Sequence, residues 1–478
     1  MKRILFFVFC VLLLASCGRN KVVQWVVTTP DALWQMQNTD EIAFAEDCRA
    51  GENYSTDVEI FTDSTLQTIN GFGACFNELG WTSLSLLDED KREEIFEELF
   101  TANGANFTVC RMPLGANDFS RDWYSYNEVD GDFAMQNFSI ENDRETLIPF
   151  IRQAQKYNPD LILWASPWSP PAWMKDNKHY ACAPLSNFFD QRYITDIKPE
   201  QYRYEGYNMF IAQTEYLKAY ALYFKKFIEA YRAENINISM VMPQNEFNSC
   251  QPFPSCTWQA ATLAEFTGKY LVPAMKNIGV EVMFGTMERP NPALVDTVLM
   301  SEGCGYISGV GFQWAGKESL PSIHTRYPNL KIYQTEQECG DGLNNWEGCA
   351  YSWDLMKYYF ENGTNVYNYW NISLLDGGMS RWGWTQNSLV TVNEDDKTFR
   401  YTYEYYLLKH FSHYVLPEAK MLKTKGAFDN ILAFKNKNGK IAVLLRNNTG
   451  SDITKTVKIG KKVFEINIKS QSINTILL

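Results

Sequence analysis

Eight short apolar runs alternate with longer segments of helical spacing through the middle of this 478-residue chain. The runs are "INGFGACF", "FTVCRMP", "LILWASP", "ISMVMPQNE", "VEVMFGTME", "ISGVGFQW", "KIYQTEQE" and "NVYNYWNI". Between them lie stretches such as "DEDKREEIFEELF", "ETLIPFIRQAQKY" and "YLKAYALYFKKFIEAYRAE", with apolar residues recurring every three or four positions. Strand–helix alternation of this kind demands parallel strands with helices packed on their outer face. Eight units predict a (β/α)8 barrel over residues 67–414, a size this fold tolerates when its loops are decorated. The flanks read differently. Residues 21–66 ("VVQWVVTT", "EIAFA", "DVEIFT") and 415–478 ("ILAFKN", "KIAVLLRN", "VFEINIK") are short β-rich runs broken by turn residues. They are expected to meet in one β-sandwich side domain built from both termini.

The first residues carry a different signal. Lys2 and Arg3 precede "ILFFVFCVLLLA", and "LASC" ends at Cys17. A positive head, an apolar stretch and small residues before a cleavage point form an export signal over residues 1–17. A Cys at that point resembles a bacterial lipobox, so lipidation of Cys17 is expected, with an exported body anchored to a bacterial membrane. The run is too short to act as a spanning helix.

A formal charge of −12 excludes a nucleic-acid backbone as partner. Eleven cysteines and four histidines show no metal-ligand spacing, so no metal and no cofactor is expected. His410 and His413 fit a C-terminal helix. Cys250 and Cys256 in "NSCQPFPSCTW" flank a Pro-rich loop and are placed to close a small disulfide, with two reduced thiols the equal alternative.

Chemistry in such a barrel gathers at the carboxyl ends of the strands. The residues expected there are Arg111 and Asp118, Trp168 and Trp173, Asn245 and Glu246, Glu288, Gln313 and Trp314, Glu336 and Glu338, and Trp370 and Asn371. One tryptophan after a strand is ordinarily core and one glutamate ordinarily solvated. Polar and aromatic ends converging on one face point to a site. Glu246 and Glu336 end strands four and seven, which lie across the barrel from each other. Two facing carboxyls with aromatic walls suit glycoside hydrolysis, in which one acts as acid/base and the other as nucleophile. The chain has no G-x-S-x-G elbow, which argues against an esterase, and no phosphate-loop or dinucleotide fingerprint.

"GFGACF", "RMPLGANDFS", "ASPWSPPAWMK", "PQNEF", "YQTEQECG" and "YWNISLLDGGMSRWGW" together resemble, in order, the motifs of glycoside hydrolase family 30, which includes glucosylceramidase-like and β-1,6-glucanase-like enzymes. The resemblance implies a retaining mechanism with Glu246 as acid/base and Glu336 as nucleophile. It places sugar-holding positions at Asp118, Trp168, Asn245 and Trp370. Trp314 and Arg111 join this candidate set, Arg111 as support for the others. The substrate implied is a carbohydrate, a β-glucan or β-glucoside, with β-1,6-glucanase-like action favoured. Glucosylceramidase or β-xylosidase activity is the alternative, and a sugar-binding surface lipoprotein the non-enzymatic one. Phe247 replaces a proline common after the acid/base, and Gln313-Trp314-Ala315 departs from the His-Trp-Tyr of glucosylceramidase-type members. Glu338, two positions beyond Glu336, is the rival nucleophile because residues i and i+2 share a strand face.

Overall fold

The computed structural model describes residues 22–46, 56–186 and 195–478. The signal segment 1–17, with Cys17, lies outside the described residues. Eight parallel strands build the barrel: β1 Gly71–Cys75, β2 Val109–Pro113, β3 Ile162–Ser166, β4 Ile238–Val241, β5 in two halves (Glu281–Val282 and Phe284–Met287), β6 Gly309–Gln313, β7 Lys331–Glu336 and β8 Val366–Leu375. Hydrogen bonding runs from the second half of β5 through β6, β7, β8, β1, β2, β3 and β4 to the first half of β5, so that strand completes the ring. Each expected run holds one strand.

These segments become strands because they are short and almost wholly apolar. Every residue of β1, β2 and β6 is buried, the pattern of a strand covered on both faces. The helices announce themselves by periodicity. Thr214–Ala233 buries Leu217, Tyr220, Phe224, Phe227, Ile228 and Tyr231, one stripe that packs on the barrel wall. Glu89–Phe100 starts where the Asp88 side chain accepts from the Lys91 N–H at 3.0 Å, a satisfied helix N-terminus.

Inside the barrel, Val109, Trp164, Met240, Met242, Met283, Tyr333 and Val366 form an apolar plug. The Trp164 indole donates to Asn368 Oδ1 at 2.9 Å, so its one polar atom is satisfied. The two-residue period of a strand then sets the layer above. Two positions beyond Val109 stands Arg111, and two beyond Trp164 stands Ser166. They are hydrogen-bonded at 2.9 Å and begin the polar floor of the site.

The side domain is a ten-stranded sheet. It takes Gln24–Thr28, Gln35–Met36, Phe44–Glu46 and Val58–Ile69 from the front of the chain and six strands between Ala419 and Leu477 from the back. Val58–Ile69 runs on past residue 66 and pairs with Ala419–Gly426, so the two ends are stitched directly. His410, on the helix Tyr403–Ser412, is buried between Thr28 Oγ1 and Thr475 Oγ1, each at 2.8 Å. Burial pushes its pKa down to about 3, as do Lys409 and His413, so it bridges the two domains as a neutral ring.

Candidate active site

The strand ends enclose a cavity of about 340 Å³, lined by Asp118, Glu246, Gln251, Pro252, Phe253, Glu288, Trp314, Glu336, Gly340, Trp384, Thr385 and Gln386. This is the small end of the ligand-pocket range. Four of these residues are carboxylic acids, and none of the described lining residues is Lys or Arg.

Glu336 is the last residue of β7, and a register irregularity sets its aim. β6 and β7 pair evenly until Phe312 opposite Gln334. Gln313 then lies opposite Glu336, with Thr335 taken up as the extra residue of a bulge. Glu336 Oε2 accepts from Arg111 Nη1 at 2.9 Å and from Gln313 Nε2 at 3.1 Å, and Oε1 accepts from the Trp314 indole at 3.0 Å. Burial raises its pKa, and Arg111 chiefly opposes that rise, helped by the Trp314 and Gln313 hydrogen bonds. The expected alternation does not reach Glu338, because the strand ends at Glu336. Glu338 instead accepts from Lys317 at 2.5 Å and from Tyr351 at 2.6 Å, and it does not line the cavity.

Glu246 follows β4 with a φ of +49°, and Trp314 follows β6 with a φ of +47°. Both sit in the left-handed region that non-glycine residues seldom occupy, a strain that clusters at functional sites. The backbone N–H of Glu246 donates to Thr286 Oγ1 at 2.9 Å, which fixes the turn. Its carboxyl accepts from Gln313 Nε2 at 3.0 Å and from Gln251 Nε2 at 3.4 Å. Among the described residues, no cation pairs with it. Burial pushes its pKa well above the carboxylate range, and the neighbouring charges of Glu288 and Glu336 push it further. Burial pushes both acids up, but Arg111 offsets the rise at Glu336 while neighbouring carboxylates add to it at Glu246.

Gln313 Nε2 lies within hydrogen-bond reach of both acids, at 3.0 Å from Glu246 and 3.1 Å from Glu336. The two oxygens it touches are therefore separated by no more than the sum of those distances. Its own oxygen accepts from Thr335 Oγ1 at 2.9 Å, so the amide cannot flip without loss.

Arg111 lies beneath this pair, fully buried, and does not line the cavity. It donates to Glu336, to Ser166 Oγ and, at 2.6 Å, to Asn245 Oδ1. Asn245 Oδ1 also accepts from Gln313 and Thr286, which leaves its Nδ2 as the donor side. Asp118 lines the cavity, 3% exposed, and its Oδ1 has no partner. Burial raises its pKa well above the usual range, and Glu336 adds to the rise.

Trp168 and Trp370, expected at sugar-holding positions, are not among the residues lining the cavity. The two indoles stack on each other at 5.5 Å, both buried, and the Arg111 guanidinium lies 4.2 Å from the Trp168 ring centre. The guanidinium lies over Trp168, with Trp370 farther off at 5.8 Å, a flat π surface that suits a buried arginine. The aromatic walls are Trp314, Phe253 and Trp384, the last two in ring contact at 5.1 Å. Phe253, Trp384, Gln251 and Gln386 come from loops whose course the sequence does not disclose. Of the two alternatives for Cys250 and Cys256, the structure has both as free thiols. The Cys256 thiol is directed to Thr257 O at 3.9 Å.

A barrel with two buried acids sharing an amide at its carboxyl face is the arrangement of a glycosidase. The chain belongs to glycosyl hydrolase family 30. It matches the family's TIM-barrel domain over residues 69–187 and 200–415 and its beta sandwich domain over 423–476. It is 27% identical over 444 residues to the endo-1,6-beta-D-glucanase neg1 of Aspergillus fumigatus, spanning 86% of this chain and 85% of that one. It is 24% identical over 430 residues to the lysosomal acid glucosylceramidase of Mus musculus, spanning 83% and 78%. The crystal structure of SrfJ from Salmonella typhimurium superposes with a TM-score of 0.82 at 21% identity, covering 95% of this chain and 99% of that one. The protein is thus a glycosidase acting on a carbohydrate.

Proposed function

We propose that this glycosidase hydrolyses β-linked glucan, with β-1,6 linkage favoured, by a retaining double displacement. Glu336 acts as nucleophile and Glu246 as acid/base. The observation that carries the reading is the single amide of Gln313 bonded to both carboxyls. It holds the nearest oxygens of the two acids close together, which supports the short carboxyl separation of retaining enzymes, about 5–5.5 Å, over the wider one that fits a water between the acids. The electrostatics support the same division of roles. In the first step Glu246 donates its proton to the departing oxygen while Glu336 forms the glycosyl ester. In the second, Glu246 takes a proton from the incoming water, which attacks the ester carbon from the same face as the departed group. Asn245 offers its Nδ2 to a sugar hydroxyl, and Asp118 Oδ1 is an acceptor still unmet. Four cavity carboxyls disfavour uronate-bearing polymers and suit a neutral sugar. The neg1 relative, alike along most of both chains, supports β-1,6-glucan over the other neutral polymers.

The test is proton NMR of the first anomer released from a β-1,6-glucan, beside a β-1,3-glucan, a xylan and glucosylceramide. The β anomer from the β-1,6-glucan, formed before mutarotation, is expected. An α anomer overturns retention, and turnover confined to another substrate overturns the linkage.

Glu288 gives the reading a pH signature. It lines the cavity, and its ion pair with Arg289 is shared with Glu205. Its charge helps hold Glu246 protonated. Glu288→Gln removes that repulsion, so Glu246 ionises at lower pH. The alkaline limb of kcat/KM is expected to move toward acid, with the limb set by Glu336 moving little. An unmoved alkaline limb means Glu288 does not act on the proton donor.

We also propose export and a lipid anchor at Cys17, supported by "LASC" after the apolar run. Wild-type protein is expected to enter the detergent phase on Triton partitioning and Cys17→Ala to stay in the aqueous phase. Equal partitioning rejects the anchor.

A further inference from the structure

The loops after β3 and β4 meet beside the cavity in a cluster of sulfurs and one buried ammonium. Cys182 N–H donates to Gln251 O at 2.9 Å, and Ala183 N–H donates to the same oxygen at 3.2 Å. Arg203 N–H donates to Cys182 O at 2.9 Å, and the Cys250 thiol donates to Arg203 O at 3.2 Å. These bonds lay Cys182 and Cys250 on adjoining stretches of backbone, with Arg203 bonded to both. Cys182 is fully buried, with Met209 Sδ at 2.9 Å, and Cys250 is partly open to solvent.

We propose that Cys182 and Cys250 form a reversible disulfide that staples the loop after β4 to the loop after β3. The stapled segment matters to the site. Gln251, Pro252 and Phe253, directly after Cys250, form one wall of the cavity. Gln251 also donates to Glu246 and, at 2.6 Å, to Ser249 Oγ. The staple is therefore a modification site acting on the wall beside a carboxyl, and it stands independently of which sugar is cleaved.

The cluster is built for thiolate chemistry. Lys175 Nζ is buried next to it, donating to Ser169 Oγ, Tyr180 O and Ser255 O at 3.2, 2.5 and 2.7 Å. Burial alone raises the Cys182 pKa, but the hydrogen bond from Cys250 and the Lys175 charge outweigh it and bring it to about 6. Cys182 is thus the thiolate of the pair, while Cys250, whose pKa is pushed up by Cys182 and by burial, keeps its proton on Arg203 O. The oxidant is a small or protein disulfide of the glutathione or thiol-oxidase class. Cys250, the more accessible of the two, gives its proton to solvent and attacks one sulfur of the oxidant. A mixed disulfide forms and one thiolate leaves, taking up a proton from solvent. The Cys182 thiolate then attacks Cys250 Sγ, closes the intramolecular bond and expels the second thiolate. Two electrons pass from the cysteine pair to the oxidant, which ends as one thiol and one thiolate.

The test equilibrates the full-length protein in glutathione buffers from reducing to oxidising, alkylates free thiols and maps peptides by mass spectrometry without reduction. A Cys182–Cys250 cross-link is expected under oxidising conditions, with Cys256 alkylated throughout. Both Cys182 and Cys250 alkylated at the most oxidising buffer overturns the proposal, and so does a Cys250–Cys256 cross-link. Closing this long loop is expected to raise the melting midpoint by about 5 °C over the reduced form. Cys250→Ser, at the more open position, is expected to melt at one temperature in every buffer. A wild-type midpoint equally indifferent to the buffer also overturns the staple.

Discussion

Glu336→Ala is expected to abolish turnover of every substrate, good leaving group or poor, because no glycosyl ester can form without the carboxylate. The loss should exceed the roughly 10²–10⁴-fold typical of a missing proton donor. Removing Glu336 also strips Arg111 of its ionic partner, and breaking a buried pair costs about 3–5 kcal/mol. Instability could then imitate lost chemistry. Glu336→Gln separates the two, since its amide oxygen can still accept from Arg111 Nη1 and its shape is unchanged. It should melt near the wild type and remain inactive. Added azide should yield the α-glycosyl azide, if it reacts, by attack on the face the nucleophile has vacated. The rival assignment fails or stands on Glu338→Ala. That variant should keep most activity, because its carboxylate is taken up by Lys317 and Tyr351 outside the cavity. Loss of all turnover in Glu338→Ala with an active Glu336→Ala would reverse the assignment.

Glu246→Ala is expected to behave differently according to the leaving group. A β-glucan needs a proton on the departing oxygen, and its turnover should fall by about 10²–10⁴-fold. An aryl glycoside with an acidic phenol leaves without that proton, so its glycosylation step should survive as a burst. Hydrolysis of the glycosyl ester is then slow, because no base activates the water. Azide needs no base and should restore aryl-glycoside turnover, giving the β-azide. The alkaline limb of the wild-type pH profile should vanish in this variant, since it reports loss of the Glu246 proton. The direction follows from burial and from the charges of Glu288 and Glu336, which all favour the protonated form. An unchanged alkaline limb, or no rescue by azide, would place the proton donor elsewhere.

The barrel was legible in the sequence because strand burial leaves a local signature. β1, β2 and β6 are fully buried runs of five residues, apolar but for Arg111 and the final Gln313, and the helices between them repeat every three or four positions. A strand of this kind needs no distant contact to declare itself. The two acids were legible for a related reason: the carboxyl end of a barrel strand is the one place where a polar residue can follow a buried run and still reach a common centre. Lateral position in that centre was not legible. Trp168 and Trp370 carry the composition of a sugar platform, but only the fold shows that the two rings stack on each other with Arg111 over Trp168. Glu338 satisfies the two-residue spacing, yet the strand stops at Glu336, and a bulge at Thr335 decides which carboxyl faces Gln313. Cys250 is six positions from Cys256 but lies beside the backbone of Cys182, because two loops meet there by hydrogen bonds between their backbones. Sequence patterning thus determined which segments form strands, which form helices and which acids end them, all consequences of local burial. The tertiary structure alone decided which acid carries a cation, which aromatics bound the cavity and which cysteines lie on adjoining loops, because those depend on contacts between segments far apart in the chain.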